Sequence, residues 1–249
     1  IASPLAVKPE IEERFELVSW FLSQNIIKTE IGELLKGLPD FERSLTRLSV
    51  GRGGPRDLFS LATAIEKVKQ ISGLIEKAVS LSSPKLLVDI SRVISNPYAL
   101  SIKIKDALAE NLPLLAREGQ FIRAGFDTQL DSLRDLRDES RGHIASLQRE
   151  YSESTGISSL KVKHNNVVGY HIEVRSNHAK KLMSEDHFIH RQTTAQAVRF
   201  TTTELGELES KLATAANRAI AIEVSLFDSL VEKTLKCQRS IANCASIIA

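Results

Sequence analysis

Sulfur and tryptophan are scarce in this chain of 249 residues, which carries two cysteines, one methionine and one tryptophan. Cys237 and Cys244 fall about two turns apart on one face of a helical pattern, too far to bridge within a helix. They read as reduced, small apolar residues of the kind a cytosolic protein carries. Met183 stands deep in the sequence, so the chain is expected to be a piece of a longer protein. No run of about eighteen apolar residues occurs, and the start IASPLAVKPEIEER lacks the basic and apolar regions of a signal peptide. A helical membrane span is therefore excluded, and no membrane partner is expected. Charge of one sign is also missing: 33 Lys and Arg against 31 Asp and Glu leave a net +2. Any contact with nucleic acid must be argued locally, since bulk charge does not argue for it.

Several kinds of chemistry are absent too. The phosphate-binding pattern G-x-x-x-x-G-K-S/T does not occur, and no G-x-G-x-x-G follows a strand. Gly51 to Gly54 lacks the Lys-Ser/Thr pair of a phosphate loop and reads as a turn that starts a helix at Pro55. No G-x-S-x-G elbow marks a serine nucleophile. His164, His171, His178, His187 and His190 crowd together, but no cysteine accompanies them and no H-x-x-x-H or H-x-E pair sits on a helical stretch. They are expected to be solvated or DNA-facing, with no metal site, and the chain itself is not expected to be an enzyme.

What is present is helix. Seven prolines and twelve glycines are few against long stretches of Leu, Ala, Glu, Lys and Arg. The first 120 residues read as short amphipathic helices, with boundaries at Pro9, at Lys36 to Asp40, and at Pro55, Pro84 and Pro97. Two long helices are predicted from Asp127 to about Ser154 and from about Thr203 to Lys236. In the second, Leu205, Leu208, Leu212, Ala215, Ala219, Ile222 and Leu226 step by three and four, a seam resembling that of a coiled coil. Between them the pattern alternates at 158–164 and 169–175, around a turn holding Asn165, Asn166 and Gly169, and again at 189–194 and 197–203. The predicted fold is mainly α. It has a multi-helical core at 1–126, two long antiparallel helices at 127–154 and 204–249, and a small four-stranded antiparallel β domain at 155–203 inserted between them. A helix of about 28 residues is about 42 Å long, enough to hold a small domain far from the body.

Residues 155–204 carry seven Lys and Arg against four acidic residues. Lys161 and Lys163 share one strand face, and Leu160 and Val162 share the other. From charge alone, an ordinary polar sheet surface and a phosphate-facing one are equally supported.

The segment GISSLKVKHNNVVGYHIEVR at 156–175 closely resembles the stretch of MutS proteins in which T-G-I-x-S-L-K-V is followed by G-Y-x-I-E-V. FIHRQTTAQAVRFTTTEL at 188–205 resembles that family's run of an aromatic or Ile, R-x-Q-T, a short turn, R-F/Y and T-x-E-L. Gly37 to Arg43, Gly51-Arg52 with Pro55 to Leu58, and Gly125 to Asp127 with Leu130-Asp131 and Leu133-Arg134 resemble the family's core in the same order. The resemblance implies a helical core, two lever helices and a DNA clamp, without the family's mismatch-reading and ATPase domains. It implies a non-enzymatic fragment that grips duplex DNA through sequence-independent backbone contacts, as part of a mismatch repair protein. The parent is implied to be an ATPase that binds ATP and Mg, a homodimer and a partner of a MutL-type repair protein, in the bacterial cytoplasm at the nucleoid. The alternative is an interaction or spacer module of a MutS relative acting in recombination.

Carried over by position, the DNA-binding residues implied are Arg191 and Gln192 of R-Q-T, Gln196 where the family commonly has Asn, and Asn165 and Asn166 at the other hairpin tip; the strand face adds Lys161 and Lys163 as candidates. Ala195 and Val198 stand where lysine and glutamate are frequent; the missing lysine weakens phosphate pairing at that turn, for which Lys161 and Lys163 can compensate. Arg199 is implied to brace the sheet, and Gly169 to meet a backbone requirement.

Overall fold

The structure, a computed structural model, describes residues 5–93, 97–165 and 167–248. In chain order its helices and strands are α1 (Lys8–Ser23), α2 (Asn25–Lys36), α3 (Phe41–Ser49), α4 (Pro55–Ala78), α5 (Lys85–Val93), α6 (Tyr98–Ala107), α7 (Thr128–Thr155), β1 (Lys161–Asn165), β2 (Gly169–Arg175), α8 (Ala179–Met183), β3 (Ile189–Thr193), β4 (Ala197–Thr201), α9 (Thr203–Lys236) and α10 (Gln238–Ile248). The fold is mainly α with one small four-stranded antiparallel sheet. The chain divides into two compact units, 1–126 with 223–249, and 127–222. Among the described residues, no helix is long and apolar enough to cross a membrane.

The boundaries are set by local chemistry. The Asp40 side chain caps α3 by accepting from Arg43 N at 3.0 Å. The glycine-rich turn does start a helix at Pro55: Asp57 Oδ2 accepts from Gly54 N at 2.9 Å, while its Oδ1 accepts from Arg47 Nε at 3.0 Å. Asp127 caps α7 through Leu130 N at 2.8 Å, and Gly156, at φ 63, ends it in the left-handed region. Thr202 Oγ1 accepts from Leu205 N at 3.1 Å at the start of α9.

In the first unit, Leu61, Ala64, Ile65 and Val68 of α4 pack with Phe41 and Leu45 of α3 and with Ile241, Cys244 and Ala245 of α10. α4 has 24 residues, longer than the short helices expected for this region. Neither cysteine is in a disulfide, and they do not share a helix. Cys237 falls at the break between α9 and α10, and Cys244 is buried within α10.

In the second unit, Ile144, Leu147 and Tyr151 of α7 and Leu205, Leu208 and Leu212 of α9 form one core with Ile172, Val174, Val198 and Phe200 of the sheet. The two helices run antiparallel there. Tyr151, near the end of α7, is hydrogen-bonded to Thr202 just before α9, while Leu133 and Leu136 share a hollow with Lys211 and Arg218. The apolar seam departs from its predicted course. Leu205, Leu208, Leu212 and Ala215 are buried, but Ala219, Ile222 and Leu226 are only half-buried, and Glu223, Phe227, Leu230 and Thr234 take their place. A strict three-four repeat drifts about 20° per heptad on a straight α-helix, so over three heptads the stripe leaves the packed face.

Candidate nucleic-acid interface

The sheet order is β1-β2-β4-β3. Register places Val162, Ile172, Phe200 and His190 in one transverse row, and Lys161, Glu173, Arg199 and Gln192 in the next. Adjacent rows point to opposite faces. The first row holds the core residues Ile172 and Phe200, so the second lies on the outer face, together with Lys163.

That face is a network. Lys163 Nζ lies 2.6 Å from Glu173 Oε1, Arg199 Nε donates to Glu173 Oε2 at 3.3 Å, and Arg199 Nη1 donates to Gln192 Oε1 at 2.7 Å. The Lys163 hydrogen bond, opposed by desolvation and aided by Arg199, holds the Glu173 carboxyl below its ordinary range. Arg199 braces the sheet, and Gln192 has its carbonyl oxygen engaged.

The other expected contact residues divide sharply. Lys161 opens β1, exposed, and its side chain has no hydrogen-bond or ion-pair partner among the described residues. Arg191 is exposed and equally without a partner there, and it sits in a register irregularity: His190 pairs with Phe200 and Gln192 with Arg199, leaving Arg191 as the extra residue of a bulge. Bulges re-aim a side chain relative to its strand. Gln196 is exposed in a turn held by Thr194, whose Oγ1 accepts from Ala197 N at 3.1 Å. Asn165 is committed to its own turn, its Oδ1 accepting from Val167 N at 2.9 Å and Val168 N at 2.7 Å. Asn166 lies outside the described residues. Gly169 has φ 74, a conformation that L side chains avoid.

The two hairpin tips lie at opposite ends of the sheet. Gly169 pairs with Asn165 at one end of β2, whereas Arg175 pairs with Ala197 at the other. Six residues of strand separate those ends, about 20 Å at 3.3 Å per residue. Asn165 and Gln196 therefore belong to different surfaces, and Gln196 shares its end with Arg175.

The histidines are not uniformly solvated. His171 is 1% exposed, its Nδ1 within 2.9 Å of Gly169 O and its Nε2 4.0 Å from Glu173 Oε2 without a hydrogen bond. The expectation that it faces solvent or DNA is overturned, because the folded unit buries it. His164 packs on Tyr170 with ring centres 4.8 Å apart, His187 on Phe188 at 3.9 Å and His190 on Phe200 at 5.8 Å. Among the described residues, no group of three or more His, Cys, Asp or Glu is placed to hold a metal ion.

Sequence reasoning missed Glu173 as the centre of the network, although a hairpin folded about position 167 already sets it opposite Lys161. It also passed over Lys181, whose Nζ lies 3.6 Å from where a Cβ on Gly156 would be, and Arg175.

Comparison with known proteins bears on this unit directly. Residues 125–218 match the family described as MutS family domain IV. The chain is 42% identical over 238 residues to the DNA mismatch repair protein MutS of Bartonella henselae, covering 94% of this chain and 26% of that protein. It is 40% identical over 254 aligned residues to the DNA mismatch repair protein MutS of Bartonella tribocorum, covering 100% of this chain and 28% of that one. The chain thus spans about a quarter of the length of these curated relatives.

Proposed function

Because the chain belongs to the MutS family, we propose that its second unit is a clamp that grips duplex DNA through sequence-independent backbone contacts, as one part of a DNA mismatch repair protein. α7 and α9 are the levers in this reading. They link the grip to an ATPase domain outside this chain, which binds ATP and Mg and is paired in a homodimer that works with a MutL-type partner.

One observation carries the proposal. The segment matched by the family domain, 125–218, coincides with the compact unit 127–222, and that unit exposes Lys161, Arg191 and Gln196 with no side-chain partner among the described residues. Cations free of internal ion pairs are the ones that exchange counterions for phosphate, and phosphate contacts fix position without reading bases.

Fluorescence anisotropy of this chain with a short labelled duplex, matched and mismatched, tests it. Binding is expected to be weak, since one clamp lacks the gain of two linked contacts. It should be blind to the mismatch and fall with salt. Replacing Lys161 and Arg191 by alanine should reduce the slope of log K against log salt by about 1.8, at about 0.9 per phosphate contact. Binding that ignores salt and both substitutions would refute the reading. Absence of binding in this chain and in its dimeric parent would favour the spacer module of a recombination relative.

A further inference from the structure

We propose that Glu173 is an internal counter-anion that competes with DNA for Lys163 while fixing Arg199 as a brace, so that it sets which cations of the sheet reach phosphate. The inference rests on the clamp reading above.

The two cations that share Glu173 are held differently. Arg199 bonds at two points, to Glu173 Oε2 at 3.3 Å and to Gln192 Oε1 at 2.7 Å, and its side chain is 25% exposed. A planar guanidinium held at both ends loses geometry as well as charge pairing if it leaves. Lys163 makes one contact, 2.6 Å to Glu173 Oε1, and its side chain is 55% exposed. A flexible ammonium on a four-carbon stem can turn toward solvent while Arg199 keeps Glu173 paired. Glu173 itself, 20% exposed in the middle row of the sheet, has no comparable freedom. An approaching phosphate therefore exchanges with a carboxylate at Lys163, but meets no competitor at Lys161 or Arg191. In the wild type, Lys163 contributes only the difference between two ion pairs.

The near-isosteric Glu173→Gln keeps an acceptor for Arg199 and removes the competing charge. Measured by anisotropy between about 50 and about 200 mM salt, it should bind duplex more tightly than wild type. The gain should be several-fold at both salt concentrations, because Lys163 reaches phosphate in both forms but leaves a competing carboxylate only in the wild type. The gain should vanish in Glu173→Gln/Lys163→Ala, while Lys163→Ala alone changes wild-type binding little. Equal or weaker binding by Glu173→Gln, or a gain that survives loss of Lys163, overturns the proposal. A second readout does not depend on a variant folding. In the wild-type chain, followed by carbon NMR, the titration midpoint of the Glu173 carboxyl should rise on adding duplex, because its leading partner has left. No movement at saturating DNA also overturns it. If wild type binds DNA and Glu173→Gln shows no gain, this proposal falls alone. If no variant binds DNA at any salt, in this chain and in its dimeric parent, the clamp reading falls and takes this one with it.

Discussion

Thr202 joins the sheet to α9, and its replacement by alanine should be among the most damaging polar substitutions in the second unit. Its hydroxyl oxygen accepts from Leu205 N at 3.1 Å and shares a hydrogen bond with the Tyr151 hydroxyl at 2.8 Å, at a site where both residues are buried. Loss of the cap costs about 1 kcal/mol. The Tyr151 hydroxyl, left buried without a partner, costs about 1–3 kcal/mol more. Thr202→Ala should therefore destabilise the unit by about 2–4 kcal/mol, whereas Tyr151→Phe alone should cost about 1 kcal/mol. The double variant should be more stable than Thr202→Ala, because it deletes the orphaned hydroxyl, and the coupling should reach about 1–2 kcal/mol. Native-state hydrogen exchange of peptides covering the first turns of α9 reads this locally. A loss of 2 kcal/mol accelerates exchange about 30-fold. The only tryptophan, Trp20, lies in the other unit, so its fluorescence transition is an internal control that should not move. Strict additivity of the two substitutions, or exchange at α9 unchanged by Thr202→Ala, would refute the reasoning.

Three further outcomes follow from the structure. The folded state holds the Glu173 carboxyl below its ordinary value of 4.5, chiefly through Lys163, so its stabilising contribution is present above pH about 4.5 and is lost as pH falls through the lower folded value; the urea midpoint of Glu173→Gln should show a flatter acid limb. Burial raises the Tyr151 phenol above 10.0, so the unfolded state loses its proton first and stability declines as pH rises past about 10, a decline that Tyr151→Phe should reduce in alkaline denaturation curves. Gln120 has φ 62 without being glycine, so Gln120→Gly should raise stability of the first unit by up to about 1 kcal/mol, read from the Trp20 fluorescence transition in urea; a lower midpoint would refute the strain.

The features legible in the sequence were those encoded by neighbours in the chain. Pro55 after a glycine turn and Asp127 before Leu130 specify helix starts through bonds spanning three or four residues, the alternation of 169–175 specifies a strand through which side chains share a face, and each element formed where expected. The course of the α9 stripe was not legible, because a repeat of three and four says which residues share a face only until the drift of the helix moves that face elsewhere. Asn165 is placed at a hairpin tip by resemblance, and Asn is polar and exposed in turns. The same property lets its side chain fold back onto Val167 N and Val168 N. His171 looked solvated because imidazole usually is, and nothing in one sequence reports that packing leaves it 1% exposed.

Lys161 and Lys163 show most clearly where one-dimensional reading stops. They are alike in type, strand and face, and register sets Lys161, not Lys163, directly opposite Glu173. Yet the ion pair forms on the diagonal, Lys163 to Glu173 at 2.6 Å, while Lys161 is left exposed. Diagonal neighbours on a strand pair lie about 7–8 Å apart at Cα, within reach of a lysine stem. Arg199, placed directly across from Glu173 on the other flank, takes the second carboxylate oxygen. A carboxylate with one oxygen for each flank pairs with one cation from each side and leaves the next one over. In this chain that leaves Lys161 beside the paired row, and the same sheet that appears uniformly basic in sequence presents two different lysines to an approaching phosphate.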